Sequence, residues 1–84
     1  MRVTYFYWMK REPEPIRETV PEHVSYWHGL GLRGYLGGPY TDRTGGLILF
    51  DIDAVEEAER LVAGDPFVRA EVLDSWQVKQ WGPE

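Results

Sequence analysis

Two stretches of this sequence repeat their apolar residues at three-and-four spacing, and each lies between runs that alternate or are apolar throughout. Ile16, Val20, Val24, Trp27 and Leu30 fall on one side of a helix, and so do Val55, Ala58, Leu61 and Val62. A capping-box signature opens each stretch, T-x-x-E at Thr19 and Glu22 and D-x-x-E at Asp53 and Glu56. Pro21 is tolerated only in a first turn, so the pattern predicts well-formed helices over about 20–33 and over 54–63, stopped by Gly34 and Gly64. Gly29 and Gly31 inside the first helix each cost about 1 kcal/mol relative to Ala, so tertiary packing must hold that end.

The segments around these helices read as strands. Val3, Tyr5 and Tyr7 alternate with Thr4, Phe6 and Trp8, which predicts a first strand that is central because both of its faces are apolar. "KREPEP" after it is charged and broken by proline, hence a loop. Tyr35 to Gly38 reads as a short edge strand before a glycine-rich turn, "LILFDID" as the third strand and "LDSWQVKQW" as the last, with Trp76 and Val78 on one face and Trp81 on the other. The order β-α-β-β-α-β in one short chain predicts an α+β fold of the ferredoxin-like plait, a four-stranded antiparallel sheet with both helices on one face. Residues 1–84 are expected to form a single domain. The face without helices needs a cover, and a second copy packed sheet to sheet, a homodimer, is the expected one.

Size supports that expectation. A chain of 84 residues buries only about 60% of its unfolded surface, and with no cysteine it has neither disulfides nor a thiolate metal site to compensate. Four Trp, five Tyr and three Phe are many rings for so small a core, and such residues favour interfaces and ligand pockets. A formal net charge of −5 argues against nucleic acid and against a membrane surface as partners. No apolar run approaches the roughly 20 residues of a membrane span, and "MRVTYFYW" lacks the h-region of a leader, so a soluble, cytoplasmic protein is expected.

Most site chemistries are missing. His23 and His28 are five apart, about 140° around a helix, and cannot chelate a metal as an i, i+4 pair does. "GGPYTDRTGG" lacks the Lys-Ser/Thr ending of a phosphate loop and precedes a strand, which makes it a hairpin connection. No G-x-S-x-G elbow occurs. His23 and Asp65 remain. In a plait the start of the first helix and the end of the second lie at the same end of the sheet, so the two side chains can meet. A carboxylate on one ring nitrogen would fix the tautomer and prepare the other nitrogen as a base. The same residues also read more simply, with His23 as an ordinary helix residue and Asp65 as the N-cap of a short turn that has Pro66 at its first position and Phe67 as an apolar anchor.

Pro21-Glu22-His23, Gly34, Gly38-Pro39, Gly45-Gly46, the helix "VEEAERLVAGDPF" and the final "VKQW" resemble the YCII-related family over nearly the whole chain. The D-P-F step followed by a strand ending in an aromatic is the most specific part. The resemblance implies a dimeric ferredoxin-like α+β fold with a His and Asp active site, roles that fall on His23 and Asp65. Many members carry Arg just before the proline of the histidine motif, where this chain has Val20; Arg17, one turn earlier, is the candidate to replace it. Cofactor-free monooxygenases share this fold and its dimers, but the D-P-F ending fits the YCII-related pattern better.

Three functions follow. In the first, His23 is a general acid/base on a small organic molecule, a ring compound or hydroxy acid, oriented by Asp65 in a pocket lined by Tyr5, Tyr7, Trp27 or Trp76. Proton transfer, elimination or isomerisation there needs no cofactor. The alternatives are a non-catalytic dimer that binds small molecules in the same pocket, and an assembly dimer with no pocket.

Overall fold

In the computed structural model, which describes residues 1–11 and 13–82, strand β1 (Arg2–Met9) runs through the interior of a four-stranded antiparallel sheet. Its partners are β3 (Gly45–Asp51) on one side and β4 (Leu73–Gln80) on the other, with β2 (Leu36–Pro39) outside β3, giving the order β2-β3-β1-β4. Helices α1 (Pro13–Gly29), α2 (Val55–Ala63) and the single turn α3 (Pro66–Arg69) cover one face. This is the α+β ferredoxin-like plait. No described helix is long and apolar enough to cross a membrane.

The period of two along β1 decides the layers. Val3, Tyr5 and Tyr7 are buried beneath the helices with Ile48 and Phe50 of β3, Trp27 of α1, and Ala58 and Val62 of α2. Thr4, Phe6 and Trp8 point the other way, in register with Leu49, Leu47 and Gly45. That second face is apolar and carries no helix; Trp8 is 40% exposed and Leu36, opposite Leu49, is 67% exposed.

The first helix departs from the pattern read in the sequence. It begins at Pro13 rather than near Val20, so "KREPEP" is loop only at its start, with Glu12 outside the described residues, and it ends at Gly29 rather than at Gly34. Prolines in a first turn cost little because the N–H groups there have no intrahelical acceptor, so Pro15 does not delay the helix, whereas Pro21, expected only in a first turn, lies in the interior of α1. Thr19 is therefore an interior residue, and its Oγ1 donates to the Pro15 carbonyl at 2.7 Å instead of capping. The second capping box is not formed either, since the N-cap of α2 is Ala54 with no side-chain bond. The buried stripe of α1 is also rotated: Ile16, His23, Tyr26 and Trp27 face inward, whereas Val20 and Val24 are 39% and 42% exposed. Gly31 and Gly34, after the helix, take left-handed backbone (φ 61° and 64°) in the connection to β2.

Candidate active site

Asp65 stands between two helices and is held by both. Gly64 closes α2, its N–H donating to the Leu61 carbonyl at 3.1 Å and the following Asp65 N–H to the Val62 carbonyl at 3.0 Å, and the chain then turns extended at Asp65 (φ −60°, ψ 129°) to start α3 with Pro66 at its first position. Asp65 Oδ1 accepts from the Phe67 N–H at 2.9 Å, which is the N-cap bond that an Asp-Pro step favours. The residue is 0% exposed, so its remaining acceptor capacity has to be used inside the protein. His23 Nδ1 bonds to Oδ1 at 2.7 Å and the Tyr5 hydroxyl donates to Oδ2 at 2.9 Å. The cap reading and the paired reading of Asp65 are thus both true of one carboxylate.

His23 reaches it because α1 lies against the end of α2. Tyr26 Oη, on the same side of α1, donates to the Leu61 carbonyl at 2.6 Å, one turn before Asp65. The imidazole stacks on the Phe67 ring, with centroids 3.8 Å apart and planes 12° from parallel, and Tyr7 meets it edge-on at 5.8 Å. Asp65 accepts from Phe67 and Tyr5, so the hydrogen-bond network assigns the Nδ1–H tautomer to His23, with the lone pair on Nε2. Nε2 has no protein partner among the described residues and is not sealed in the core; the ring forms part of a cavity wall.

That cavity has a volume of about 340 Å³ and lies between α1 and the β2–β3 hairpin. One wall is the ridge Ile16, Val20, Val24 and His28, spaced every four residues along α1; His23, Tyr7 and Phe67 form the base; Tyr35, Gly37, Gly38, Pro39 and Arg43 close the side. The paired glycines of β3 make the base possible. A Cβ at Gly46 would strike the Tyr7 hydroxyl, and one at Gly45 would strike the Tyr7 carbonyl. Burial, and after it the Asp65 charge, push the phenols of both Tyr5 and Tyr7 up beyond the ordinary tyrosine range. Both therefore remain proton donors at neutral pH.

The residues expected at the pocket divide into three groups. Tyr7 lines the cavity with His23. Tyr5 and Trp27 lie one layer deeper, 0% and 1% exposed with ring centroids 5.6 Å apart, and Tyr5 reaches the site through its hydrogen bond to Asp65. Trp76 is on the far edge strand, edge-on to Tyr5 at 6.3 Å and outside the lining, while Arg17 lines an open cleft that adjoins the cavity at Met9, Ile16, Val20 and Arg43. Phe67 as a stacking partner, His28, Tyr35 and Arg43 also line the cavity, and the sequence places none of them there. His28 joins the wall because it stands four residues after Val24, but the sequence hides this, since Val20 and Val24 read there as a core stripe. Arg43 is hidden too, because only the closed hairpin brings it over α1.

The fold has a solved counterpart. A structure of 5-chloro-2-hydroxyhydroquinone dehydrochlorinase from Burkholderia phenoliruptrix, in complex with 2,5-dihydroxybenzoquinone, superposes with a TM-score of 0.84 over 98% of this chain and 94% of that one, at 20% sequence identity. At this identity the likeness is one of fold. Comparison with curated protein sequences gives no significant match. The profile of the YCII-related domain matches residues 3–82, nearly the whole chain, and the protein belongs to the YCII-related family.

Proposed function

We propose that the protein is an acid/base enzyme acting on a small hydroxylated ring compound, with His23 Nε2 as the proton-transferring atom. One observation carries this reading: a histidine bonded through Nδ1 to a fully buried carboxylate while Nε2 is open to a cavity. Asp65 fixes the tautomer and stabilises the imidazolium that forms when Nε2 takes a proton. The Tyr5 and Phe67 donors keep Asp65 in place. Removing a proton from a ring hydroxyl or an activated ring carbon, and returning it elsewhere or expelling a leaving group, gives isomerisation or elimination. A protein of the same fold is a dehydrochlorinase solved with a dihydroxybenzoquinone, which makes halogenated and hydroxylated hydroquinones the first class to assay. The open, apolar sheet face supports a homodimer in which a second copy covers Phe6, Trp8, Leu47 and Leu49.

Turnover of such compounds, followed by absorbance, is expected to fall about 10²- to 10⁴-fold in His23→Ala while its circular dichroism remains native. Undiminished turnover in His23→Ala would refute the assignment. Ring binding without turnover by the native protein would instead identify a non-catalytic ligand carrier.

A further inference from the structure

Cations gather at the mouth of the cavity. Lys10, Arg11, Arg17 and Arg43 line the adjoining cleft, where Asp74 is the one carboxylate among the described lining residues. These are four of the nine Lys and Arg in a chain of net charge −5. Of the four, Arg43 alone also lines the cavity that holds His23, and among the described residues it has no ion-pair partner. No carboxylate is among the described residues that line this cavity.

Arg43 is carried on an anchored turn. Its N–H donates to the Tyr40 carbonyl at 2.9 Å, Tyr40 N–H to Gly45 at 2.8 Å, and Met9 N–H of β1 to Thr44 at 2.8 Å. The Thr44 N–H and hydroxyl both donate to Asp42 Oδ1, at 3.1 and 2.7 Å. Within this turn Arg43 takes φ 65°, a left-handed conformation that side chains other than Gly, Asn and Asp rarely adopt. Arg43 thus stands beside a cavity otherwise walled by aliphatic side chains, a methionine, glycines, a proline and rings, with no anion of the protein's own to meet it.

We infer that Arg43 is the anion-binding residue of this cavity and that its ligands are planar ring compounds bearing an ionised oxygen. The inference rests on the proposed function for the placing of the ring beside His23, and it adds the charge of the substrate and the residue that selects it. Lys10, Arg11 and Arg17 give the approach the same sign, which concentrates anions at the mouth of an otherwise acidic protein. In the proton-transfer step the ring C–H or O–H bond breaks, the proton goes to His23 Nε2, and the electron pair stays on the ring and its oxygen. Arg43 then holds that oxygen as it gains charge.

Calorimetric titration of the intact protein tests this with two pairs of probes that differ in charge and little in shape: benzoate against benzamide, and ionised 4-nitrophenol against 4-nitroanisole. Arg43→Gly removes the charge and suits the left-handed backbone, so the variant is expected to fold. Anion affinity is expected to fall about tenfold or more in Arg43→Gly and to recover in part in Arg43→Lys, while the neutral probes bind all three proteins alike. A response of benzoate alone assigns a carboxylate substituent, and a response of the nitrophenolate alone assigns an oxygen on the ring. Equal anion affinity in native protein and Arg43→Gly, a parallel loss for the neutral probes, or no anion binding by the native protein overturns the inference. His23→Ala separates the two proposals. Turnover that survives this substitution, with anion binding still dependent on Arg43, rejects the acid/base reading alone; lost turnover with Arg43-independent binding rejects the anion site alone.

Discussion

Asp65 accepts three hydrogen bonds from three separate parts of the chain: Tyr5 on β1, His23 on α1 and Phe67 on α3. In a site with no exposure, each donor left without an acceptor costs about 1–3 kcal/mol, so Asp65→Ala is expected to destabilise the protein by about 3–5 kcal/mol in denaturant unfolding. A loss below about 1 kcal/mol would mean that water takes over all three bonds. Asp65→Asn preserves shape and the cap acceptor but offers one oxygen instead of two, so it is expected to cost less stability than Asp65→Ala. Spacing and topology bring His23 and Asp65 to one end of the sheet, and that much is legible in the sequence. The sequence does not show that the cap and the histidine partner are a single carboxylate, because that follows from complete burial. Nor does it separate Tyr7, which lines the cavity, from Tyr5, which lies beneath it, since the two occupy equivalent positions on one strand face.

At the scale of elements, the strands are legible because a period of two reports burial directly, and β1, β2 and β4 lie within a residue or so of where the pattern puts them. The helix starts are less legible. A capping box is a local signal, and in α1 it is outweighed by a first turn that already accommodates proline and by Ile16, which packs against the core. Thr19→Ala and Glu22→Ala are accordingly expected to change stability by no more than about 0.5 kcal/mol, where loss of a true cap costs about 1 kcal/mol; thermal unfolding of the two variants decides between these positions. The exposure of Val20 and Val24 was equally hidden, because the same apolar spacing serves a core stripe and a cavity wall. The β2–β3 hairpin is constrained more tightly. Gly46→Ala places a methyl group against the Tyr7 hydroxyl, and is expected to cost about 1–3 kcal/mol and to disturb ring binding even though the residue is not among those lining the cavity.

For the whole molecule the two sheet faces make different demands. The apolar face without helices is the proposed dimer surface, and Leu49→Lys at its centre is expected to give a monomer in sedimentation; native protein that sediments at 9.8 kDa would sink that reading. The helix-covered face buries phenols, and these tie stability to pH. Burial first and the Asp65 charge second raise Tyr5 and Tyr7 above the ordinary range, and burial also raises Tyr26 and Tyr35. In the unfolded chain these groups ionise near pH 10, whereas Tyr5 and Tyr7 keep their protons in the native fold. Their contribution is therefore fully present below about pH 10. Above that pH the unfolded state holds fewer protons than the native one, and stability falls by about 1.4 kcal/mol per pH unit for each such tyrosine. Denaturant unfolding at a series of alkaline pH values is expected to show this decline, with phenolate absorbance from the buried pair appearing only as the fold is lost. In Tyr7→Phe the decline should be shallower by one group's share, without loss of a hydrogen bond to Asp65, since that bond belongs to Tyr5. Phenolate absorbance that rises for all five tyrosines near pH 10 while the fold persists would show that the helix-covered face admits water, and the sealed pairing of Tyr5 with Asp65 would fall with that result.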